Sequence, residues 1–449
     1  MVSEWSVVRI EDIQASVKGA IAIGPFGSRL KSENYVEEGI PVIRGTNITG
    51  GPTFEGNFVY ITEEKADTLG SSNVYKDDLV FPHRGSIGEV GIIQDDKRYV
   101  LSSSLMKLTC DRTKVNPKFL YYFFKTHVGK HELLKNASQV GTPGIGQPLS
   151  SLKAIEYKNP PLEVQDKIEA VITSLDDKIQ LNRQTNQTLE AMAQALFKSW
   201  FVDFDPVIDN ALAAGHEIPE PLQARAEQRK AFLSADASDD RLPESIRQLF
   251  PNRFVLDAEM GWIPEGWGCI SLDNHIKFAN GKAKKDCGSG QYPLYGANGI
   301  IGKSDDPKFN NAIIIGRVGA YCGAIEYCKN AFWSSDNTIV ASPKISEKLI
   351  PFILYLLKYL DLNQYAGGAA QPLLNQATLN RIKFPFAEIE VLMQFCDAIN
   401  TFLDKLTDNY HQNTTLEILR DTLLPKLISG ELRLPENTNI EALQAIVAA

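Results

Sequence analysis

Closely spaced cysteine and histidine ligands are absent from this sequence, which argues against a structural metal. Six cysteines are scattered along the chain, with no Cys-x-x-Cys pair and no nearby pair of histidines. Protein zinc sites need such closely spaced ligands. We therefore predict no metal site, and reduced thiols in a reducing compartment.

Long apolar segments are also lacking. No run reaches the roughly 20 apolar residues that a bilayer-spanning helix needs. The segment Met1–Trp5 does not have the basic and then apolar pattern of a secretory signal. We expect a cytoplasmic protein.

An excess of positive charge is missing from the chain as a whole. Lys and Arg number 46 against 55 Asp and Glu, for a net charge of -9. Much of the acidity lies in the segment 202–262, whereas basic residues occur near glycine-rich turns elsewhere. Phosphate contacts need local positive charge, so the net charge does not exclude a nucleic-acid partner.

Catalytic signatures are incomplete. The run Gly296–Ser304 resembles a phosphate-binding loop, but Ala297 stands where the first glycine is required. Asn159–Leu162 resembles a methyltransferase signature, but Leu162 replaces the aromatic residue that stacks on a flipped base. Glu63–Lys65 has no identifiable aspartate to complete a nuclease centre. We predict no catalytic residue and no chemistry by the chain itself.

One segment of the sequence occurs twice. Leu152–Trp200 corresponds to Leu379–Leu427 at an offset of 227 residues, with polar as well as apolar identities. So many matches at one offset indicate an internal duplication.

Both copies also have the heptad spacing of a coiled-coil helix, starting near Leu162 after two prolines and, in the second copy, ending by Gly430. The predicted pairing positions are Ile168, Ile172, Leu175, Ile179, Asn182, Asn186 and Leu189 in the first copy, and Phe395, Ile399, Phe402, Leu406, Asn409, Asn413 and Leu416 in the second. We expect the two helices to pair within one chain, with the asparagines fixing the register. The alternatives are two separate helical domains, or pairing between chains.

The remainder has the texture of two strand-rich modules. Short apolar runs broken by Gly, Asn and Pro are followed in each module by a helical pattern. We predict an α+β fold with an internal pseudo-twofold repeat, in which the two modules are separated by two long helices forming an intramolecular antiparallel coiled coil. The expected boundaries are 1–150 for the first module, 151–201 for the first helical spacer, 202–262 for an acidic connector, 263–378 for the second module, 379–430 for the second spacer and 431–449 for a tail.

Several motifs resemble those of Type I restriction-modification specificity subunits. They include Ile23–Lys31, Ile43–Ile48, Tyr292–Gly302 and Arg317–Gly323, which are similar to sequences of the target-recognition domains in that family. Two further segments, Ser199–Pro206 and Leu256–Trp267, resemble the passage from the first half to the second. The order of these motifs around a duplicated helix is more specific than any one of them.

The resemblance implies a non-catalytic DNA-recognition subunit. In the family, each recognition domain binds one half of a bipartite, asymmetric target in double-stranded DNA, and the paired helices set the spacer. Two methyltransferase subunits dock on the helices, and restriction subunits join them. The resemblance also implies that S-adenosylmethionine, ATP and Mg²⁺ bind to those partners and that this chain binds no cofactor.

Polar side chains beside the glycine turns are the predicted DNA contacts, because Arg and Lys bind guanine edges or phosphates and Asn pairs with adenine. They are Arg29, Lys31, Arg44, Asn47, His83 and Arg84 in the first module, and Lys284, Lys285, Tyr295, Asn298 and Arg317 in the second. The alternative for any of them is that the side chain holds a turn together.

Two other functions compete with DNA recognition. The chain could be a coiled-coil adaptor whose modules bind proteins, or, third, a self-contained methyltransferase or nuclease. Steep salt dependence of DNA binding separates recognition from the adaptor. Methyl transfer by the isolated chain would support the enzyme.

Overall fold

The computed structural model describes residues 5–138, 141–234, 242–284, 290–368 and 372–435, together with Ala442 and Ala445. The chain divides into two compact units, Met1–Asn182 with His411–Ala449, and Arg183–Tyr410. Each unit contains one strand-rich module and a part of each of two long helices.

The first half of the chain holds strands β1 to β12 and helices α1 to α6. The strands are β1 (Ser6–Arg9), β2 (Ile21–Ile23), β3 (Ile40–Ile43), β4 (Val59–Ile61), β5 (Asn73–Val74), β6 (Leu79–Pro82), β7 (Gly91–Ile92), β8 (Tyr99–Leu101), β9 (Leu105–Leu108), β10 (Ala137–Ser138), β11 (Gly144–Ile145) and β12 (Glu156–Asn159). The helices are α1 (Ile10–Ile13), α2 (Glu63–Thr68), α3 (Pro117–Lys125), α4 (His127–Leu134), α5 (Pro148–Lys153) and α6 (Leu162–Phe201).

Two four-stranded sheets form the first module. Their strand orders are β2-β9-β6-β7 and β4-β3-β8-β5, with β3 and β8 parallel. Helix α3 begins at Pro117, where the side chain of Asn116 accepts hydrogen bonds from the next turn. Its aromatic residues are buried, and the rings of Phe81 and Phe124 meet edge-on at 4.9 Å between centroids. The α3 helix therefore covers the sheet through ring packing.

The second half of the chain holds the remaining elements. The strands are β13 (Phe254–Asp257), β14 (Gly261–Pro264), β15 (Gly268–Ser271), β16 (Ile276–Asn280), β17 (Tyr292–Gly296), β18 (Gly299–Ser304), β19 (Ala312–Gly316), β20 (Ile325–Cys328), β21 (Trp333–Ser334), β22 (Thr338–Pro343) and β23 (Lys383–Phe386). The helices are α7 (Asp205–Ala214), α8 (Gln223–Ser234), α9 (Glu244–Arg247), α10 (Ile350–Tyr359), α11 (Gln376–Arg381) and α12 (Ile389–Ser429).

The sheets of the second module repeat the topology of the first. Their orders are β16-β22-β19-β20 and β18-β17-β21, and β17 runs parallel to β21 as β3 does to β8. The short pair β15-β23 corresponds to β1-β12. Strands β12 and β23 begin 227 residues apart, and so do α6 and α12. The predicted α+β class and internal repeat are confirmed.

Parts of the long helices pack antiparallel in the first unit. The Arg420 guanidinium donates to Asp176 at 2.8 Å, and further along Asn182 donates to Asn413 at 2.9 Å. The contacting residue on α12 has a lower number where the contacting residue on α6 has a higher one, so the two helices run in opposite directions. Ile168 and Ile172 are buried here against the end of α12.

The second unit contains the other parts of the same two helices, again antiparallel. Asn409 donates to the Asn186 side chain at 2.8 Å, and the rings of Phe201 and Phe395 meet edge-on at 5.2 Å. The buried asparagines of both units thus use hydrogen-bonding groups on the partner helix, as buried amides require. Of the predicted pairing positions, Leu175, Ile179 and Ile399 are also fully buried, and Leu189, Phe402, Leu406 and Leu416 are partly buried.

In each module a tyrosine hydrogen-bonds to a carboxylate on a long helix. In the first unit the Tyr122 hydroxyl donates to Asp176 at 2.9 Å, beside Arg420. In the second, the hydroxyl of Tyr355 and the Lys358 ammonium both donate to Glu190, at 3.0 and 2.6 Å. Tyr122 on α3 and Tyr355 on α10 thus have comparable roles in the two units.

The acidic segment 202–262 is folded where it is described. Helices α7, α8 and α9 and strand β13 lie within it, and β14 begins in it. Phe204 and Phe250 are buried in the core of the second unit, where the ring of Phe250 meets Trp200 edge-on at 5.1 Å. Its carboxylates are partly compensated, since Arg225 makes two hydrogen bonds to Asp205.

Candidate nucleic-acid interface

Several strand ends of the first module meet in one group of loops. We call this group, residues 24–29, 44, 83–84 and 102–104, the first loop cluster. Gly24 donates its N–H to the Leu105 carbonyl at 2.8 Å, and Ser102 donates to the carbonyl of Ile43 at 2.9 Å. A Cβ at Gly24 would lie 1.9 Å from the Ser102 carbonyl oxygen, so only glycine permits this approach. The glycine turn thus brings the loops together.

Two arginines lie on the first loop cluster. Arg44 donates from Nη2 to the Asn57 carbonyl at 2.7 Å, but its Nε is buried and has no hydrogen-bond partner among the described residues. Arg84 is exposed, as is Phe26 on the neighbouring loop, with 54% of its surface accessible. The cluster therefore combines exposed positive charge, an aromatic ring and a guanidinium group with unused donor capacity.

His83 lies beneath this surface and is almost fully buried. It donates from Nε2 to the Ser103 carbonyl at 3.0 Å, and its ring lies 6.4 Å from that of Phe26. Burial lowers the pKa of His83, and the charge of Arg84 lowers it further, against the opposing effect of the Ser103 carbonyl. At neutral pH the imidazole is thus uncharged and supports the loop Ser102–Ser104.

The second module builds an equivalent group of loops, which we call the second loop cluster: residues 281–284, 295–298, 317 and 334–337. Gly281 donates to the Thr338 carbonyl at 3.1 Å, and a Cβ there would lie 1.8 Å from the Ser335 carbonyl oxygen. Ser335 in turn donates to the carbonyl of Tyr295 at 2.9 Å, and Arg317 to that of Asn337 at 3.0 Å. Gly281 and Gly24 therefore have the same structural role.

The side chains on the second loop cluster differ from those on the first. Lys284 lies over the Trp333 ring, 4.6 Å from its centroid, and bonds to the Ser304 hydroxyl. Asn298 is exposed at the turn between β17 and β18. The Nε of Arg317 and the hydroxyl of Ser335 are buried, and neither has a hydrogen-bond partner within the described ranges. The two modules thus share a scaffold but present different groups.

Three residues that we predicted to contact DNA are buried instead. Asn47 is 1% exposed, and its side chain accepts from the Arg44 N–H and donates to the Glu55 and Asn57 carbonyls. His83 supports a loop, and Tyr295 packs edge-on against Phe332 with centroids 5.5 Å apart. In this structure the three side chains are buried in the module rather than presented on its surface, and their contact with DNA stays a prediction.

The remaining predicted contacts lie at the surface near the loop clusters or outside the described residues. Arg29 is exposed and donates to the Thr68 carbonyl at 3.2 Å. Lys31 pairs with Glu33 at 3.5 Å, an exposed ion pair that contributes little to stability. Lys285 falls outside the described residues. Phe26 and the exposed Lys282 were missed, although both follow the glycine that closes their loop cluster.

Neither a metal centre nor a membrane segment is found in the part of the chain that the structure describes. There, no group of three or more His, Cys, Asp or Glu side chains could hold a metal ion. Over the same residues, none of the helices combines the length and apolar content needed to cross a membrane.

A family profile described as "Type I restriction modification DNA specificity domain" matches residues 2–191 and 264–419. The chain belongs to this family. The two matched ranges cover both modules and most of both long helices. Specificity subunits of Type I restriction systems are non-catalytic, so the prediction of no chemistry by this chain is confirmed. Members of the family recognise DNA within a complex of modification and restriction subunits.

Individual specificity subunits are similar over most of the chain. The HindI specificity subunit of Haemophilus influenzae is 28% identical over 80% of this chain and 87% of its own length. The MjaIX specificity subunit of Methanocaldococcus jannaschii is 26% identical over 96% of this chain and 94% of its own. The crystal structure of a Type I S subunit from Mycoplasma genitalium has the same fold, with a TM-score of 0.59 at 18% identity, covering 97% of both chains.

Proposed function

We propose that each loop cluster of this specificity subunit binds one half of a bipartite, asymmetric target in double-stranded DNA. The observation that carries the proposal is the repeated scaffold with different exposed groups. Gly24 and Gly281 close the same arrangement of loops, yet the exposed groups of the first cluster include Phe26 and Arg84 and those of the second include Lys282 and Asn298. One scaffold with two sets of side chains suits two different half-sequences.

The charge distribution supports a DNA partner despite the net charge of -9. Asp205 is bound by Arg225 at 2.6 Å, Asp209 is bound by Arg229, and Asp203 by Lys198 at 2.8 Å. Arg44, Arg84 and Arg317 on the loop clusters have no carboxylate partner among the described residues. These cations are available to phosphates or to guanine edges.

We also propose that the modules 1–150 and 263–378 are the recognition domains and that the helical segments 151–201 and 379–430 set the spacer between the half-sites. The repeated helix positions include exposed identical residues, such as Asp177 with Asp404 and Thr188 with Thr415. Identical exposed residues provide equivalent surfaces for two methyltransferase subunits, through which restriction subunits join. S-adenosylmethionine, ATP and Mg²⁺ are then bound by those partners.

Adenine methylation across the genome tests this function. It is measured in cells with and without this chain, while the methyltransferase partner is present in both and is shown to be active. A methylated bipartite motif that disappears with the chain supports the proposal and supplies both half-sites. Unchanged methylation contradicts it and favours the protein-binding adaptor.

A further inference from the structure

An exposed apolar pair lies beside the second loop cluster. Ile300 and Ile301 on β18 are 56% and 53% exposed. Successive residues of a regular strand point to opposite faces, so one of two neighbours normally faces the core. An exposed pair on a short strand therefore needs a local cause.

A β-bulge is that cause. Leu294 pairs with Gly302 and Tyr295 pairs with Ile300, which leaves Ile301 without a partner on β17. A bulge inserts one residue and redirects the side chains around it. A Cβ at Gly296 would lie 2.8 Å from Cγ2 of Ile301, so the glycine provides the space in which Ile301 lies. The β-bulge of the hairpin thus exposes both isoleucines to solvent.

The corresponding hairpin of the first module lacks this feature. There β4, the counterpart of β18, pairs with β3 in regular register, and its Val59 and Tyr60 are partly buried and its Ile61 is fully buried. The exposed apolar pair is therefore found in the second module and not at the corresponding strand of the first. This is expected of residues that recognise the sequence of only one half-site.

Polar neighbours indicate what covers the pair. Asn298 is exposed at the turn two residues before Ile300, and Lys303 is exposed two residues after Ile301. The carbonyl of Ala297 would lie 3.0 Å from a Cβ on Gly316, which precedes Arg317, so the turn is packed against the second loop cluster. A surface with an amide, two isoleucines and nearby cations is complementary to DNA in which an apolar group is exposed between phosphates.

We propose that Ile300 and Ile301 contact thymine 5-methyl groups in the major groove and thereby specify A·T pairs in the half-site of the second module. The thymine methyl is the apolar group that base pairs present in that groove, and Asn is the residue type that pairs with the adenine edge. Asn298 and Ile300 together thus suit both members of an A·T pair. This inference rests on the proposed function, since it requires that the second loop cluster binds DNA.

Deoxyuridine in place of thymine tests the contact, because it removes only the 5-methyl group. The full chain with its methyltransferase subunits is titrated with duplexes of the methylated motif in which each thymine is replaced in turn. We expect roughly four-fold weaker binding for each contacted methyl, the loss that corresponds to exposing one buried carbon. The loss should occur in one half-site only. No loss at any thymine would overturn the proposal.

Variants assign the effect to the hairpin. Ile300→Ala, alone and with Ile301→Ala, should bind the thymine duplex more weakly and no longer distinguish it from the deoxyuridine duplex. Ile345→Ala is the matched control, because Ile345 has the same 56% exposure in the same unit but lies after β22. A variant that still distinguishes the two duplexes would overturn the assignment to these residues.

Two other outcomes identify other occupants. Concentration-dependent self-association that Ile300→Ala abolishes would show that the edge of β18 binds a second copy, and would overturn the proposal. Weaker DNA binding by the variants without any deoxyuridine effect would show an apolar wedge between bases, and would overturn it too. Failure of the unaltered complex to bind the duplex at all would instead contradict the proposed function.

Discussion

Side chains at the loop clusters differ in whether their polar groups are already used within the fold. Asn47 uses both amide hydrogens and its oxygen to hold a turn, whereas Arg317 keeps a buried Nε without a partner in the described structure. A buried unpaired donor is costly unless something binds it. At the level of single residues, the proposed function therefore places DNA contacts on the arginines, whose donors are not all used within the fold, rather than on Asn47.

Replacing Arg317 should weaken binding to one half-site. For Arg317→Ala we expect about 5- to 150-fold weaker binding, the range for loss of one good base contact. Arg317→Lys should recover only part of it, because lysine keeps the charge but not the planar fork. Titration of the complex with target duplexes measures both. Arg381→Ala, an exposed arginine of the same unit outside the cluster, should bind like the unaltered chain.

His83 should make the first unit sensitive to mild acid. Its pKa is lowered in the folded state, chiefly by burial, so the unfolded chain takes up the proton first as pH falls. Its contribution to stability is thus complete above the unfolded pKa of about 6.5 and is lost below it. Urea unfolding at pH 7.5 and 5.5 should show a larger loss for the unaltered chain than for His83→Gln. Equal losses would contradict this account.

At the scale of elements, the long helices are determined by polar contacts as well as by apolar spacing. The heptad pattern and Pro160–Pro161 predicted the first helix to within one residue of its observed end at Phe201. They did not predict that Arg420, in line with the apolar positions, would reach Asp176 on the other helix. Spacing determines which face of a helix is buried, but not which long side chain crosses to a partner.

Removing one buried amide of the helix pair should destabilise the first unit, whereas removing both partners should not. Asn182→Leu leaves Asn413 and Gln412 without their donor, and we expect a cost of about 1–3 kcal/mol. Asn182→Leu with Asn413→Leu should recover that stability and relax the register of pairing. Urea unfolding and sedimentation measure the two effects. Additive destabilisation in the double variant would be evidence against a register-setting role.

Arg420 should couple energetically to Asp176. Both side chains are largely buried, with 27% and 12% exposed, so Arg420→Ala should cost about 2 kcal/mol. A double-mutant cycle with Asp176→Asn isolates the pair, and the combined variant should lose less than the sum of the single variants. A coupling energy near zero would contradict this, because it would mean that the ion pair adds no more to the free energy of unfolding than an exposed pair does.

At the scale of the whole molecule, duplication was the part that sequence could predict well. Identities such as Leu152 with Leu379 predicted that the two modules share one topology. Both modules indeed have a pair of parallel strands and a glycine-closed group of loops in the same places. Sequence could not place Tyr295 or His83, because a turn motif does not determine which of its side chains faces inward. It also left open the segment 202–262, whose acidic composition gives no sign that Phe204 and Phe250 enter the core.

Adenine methylation in cells that carry cluster variants shows whether each loop cluster specifies one half of the target. The variants are Arg84→Ala in the first cluster, and Asn298→Ala with Arg317→Ala in the second. We predict that each set relaxes the methylated motif in one half only, and that the two sets affect opposite halves at an unchanged spacer. Relaxation of the same half by both sets, or an altered spacer with intact halves, would contradict the account.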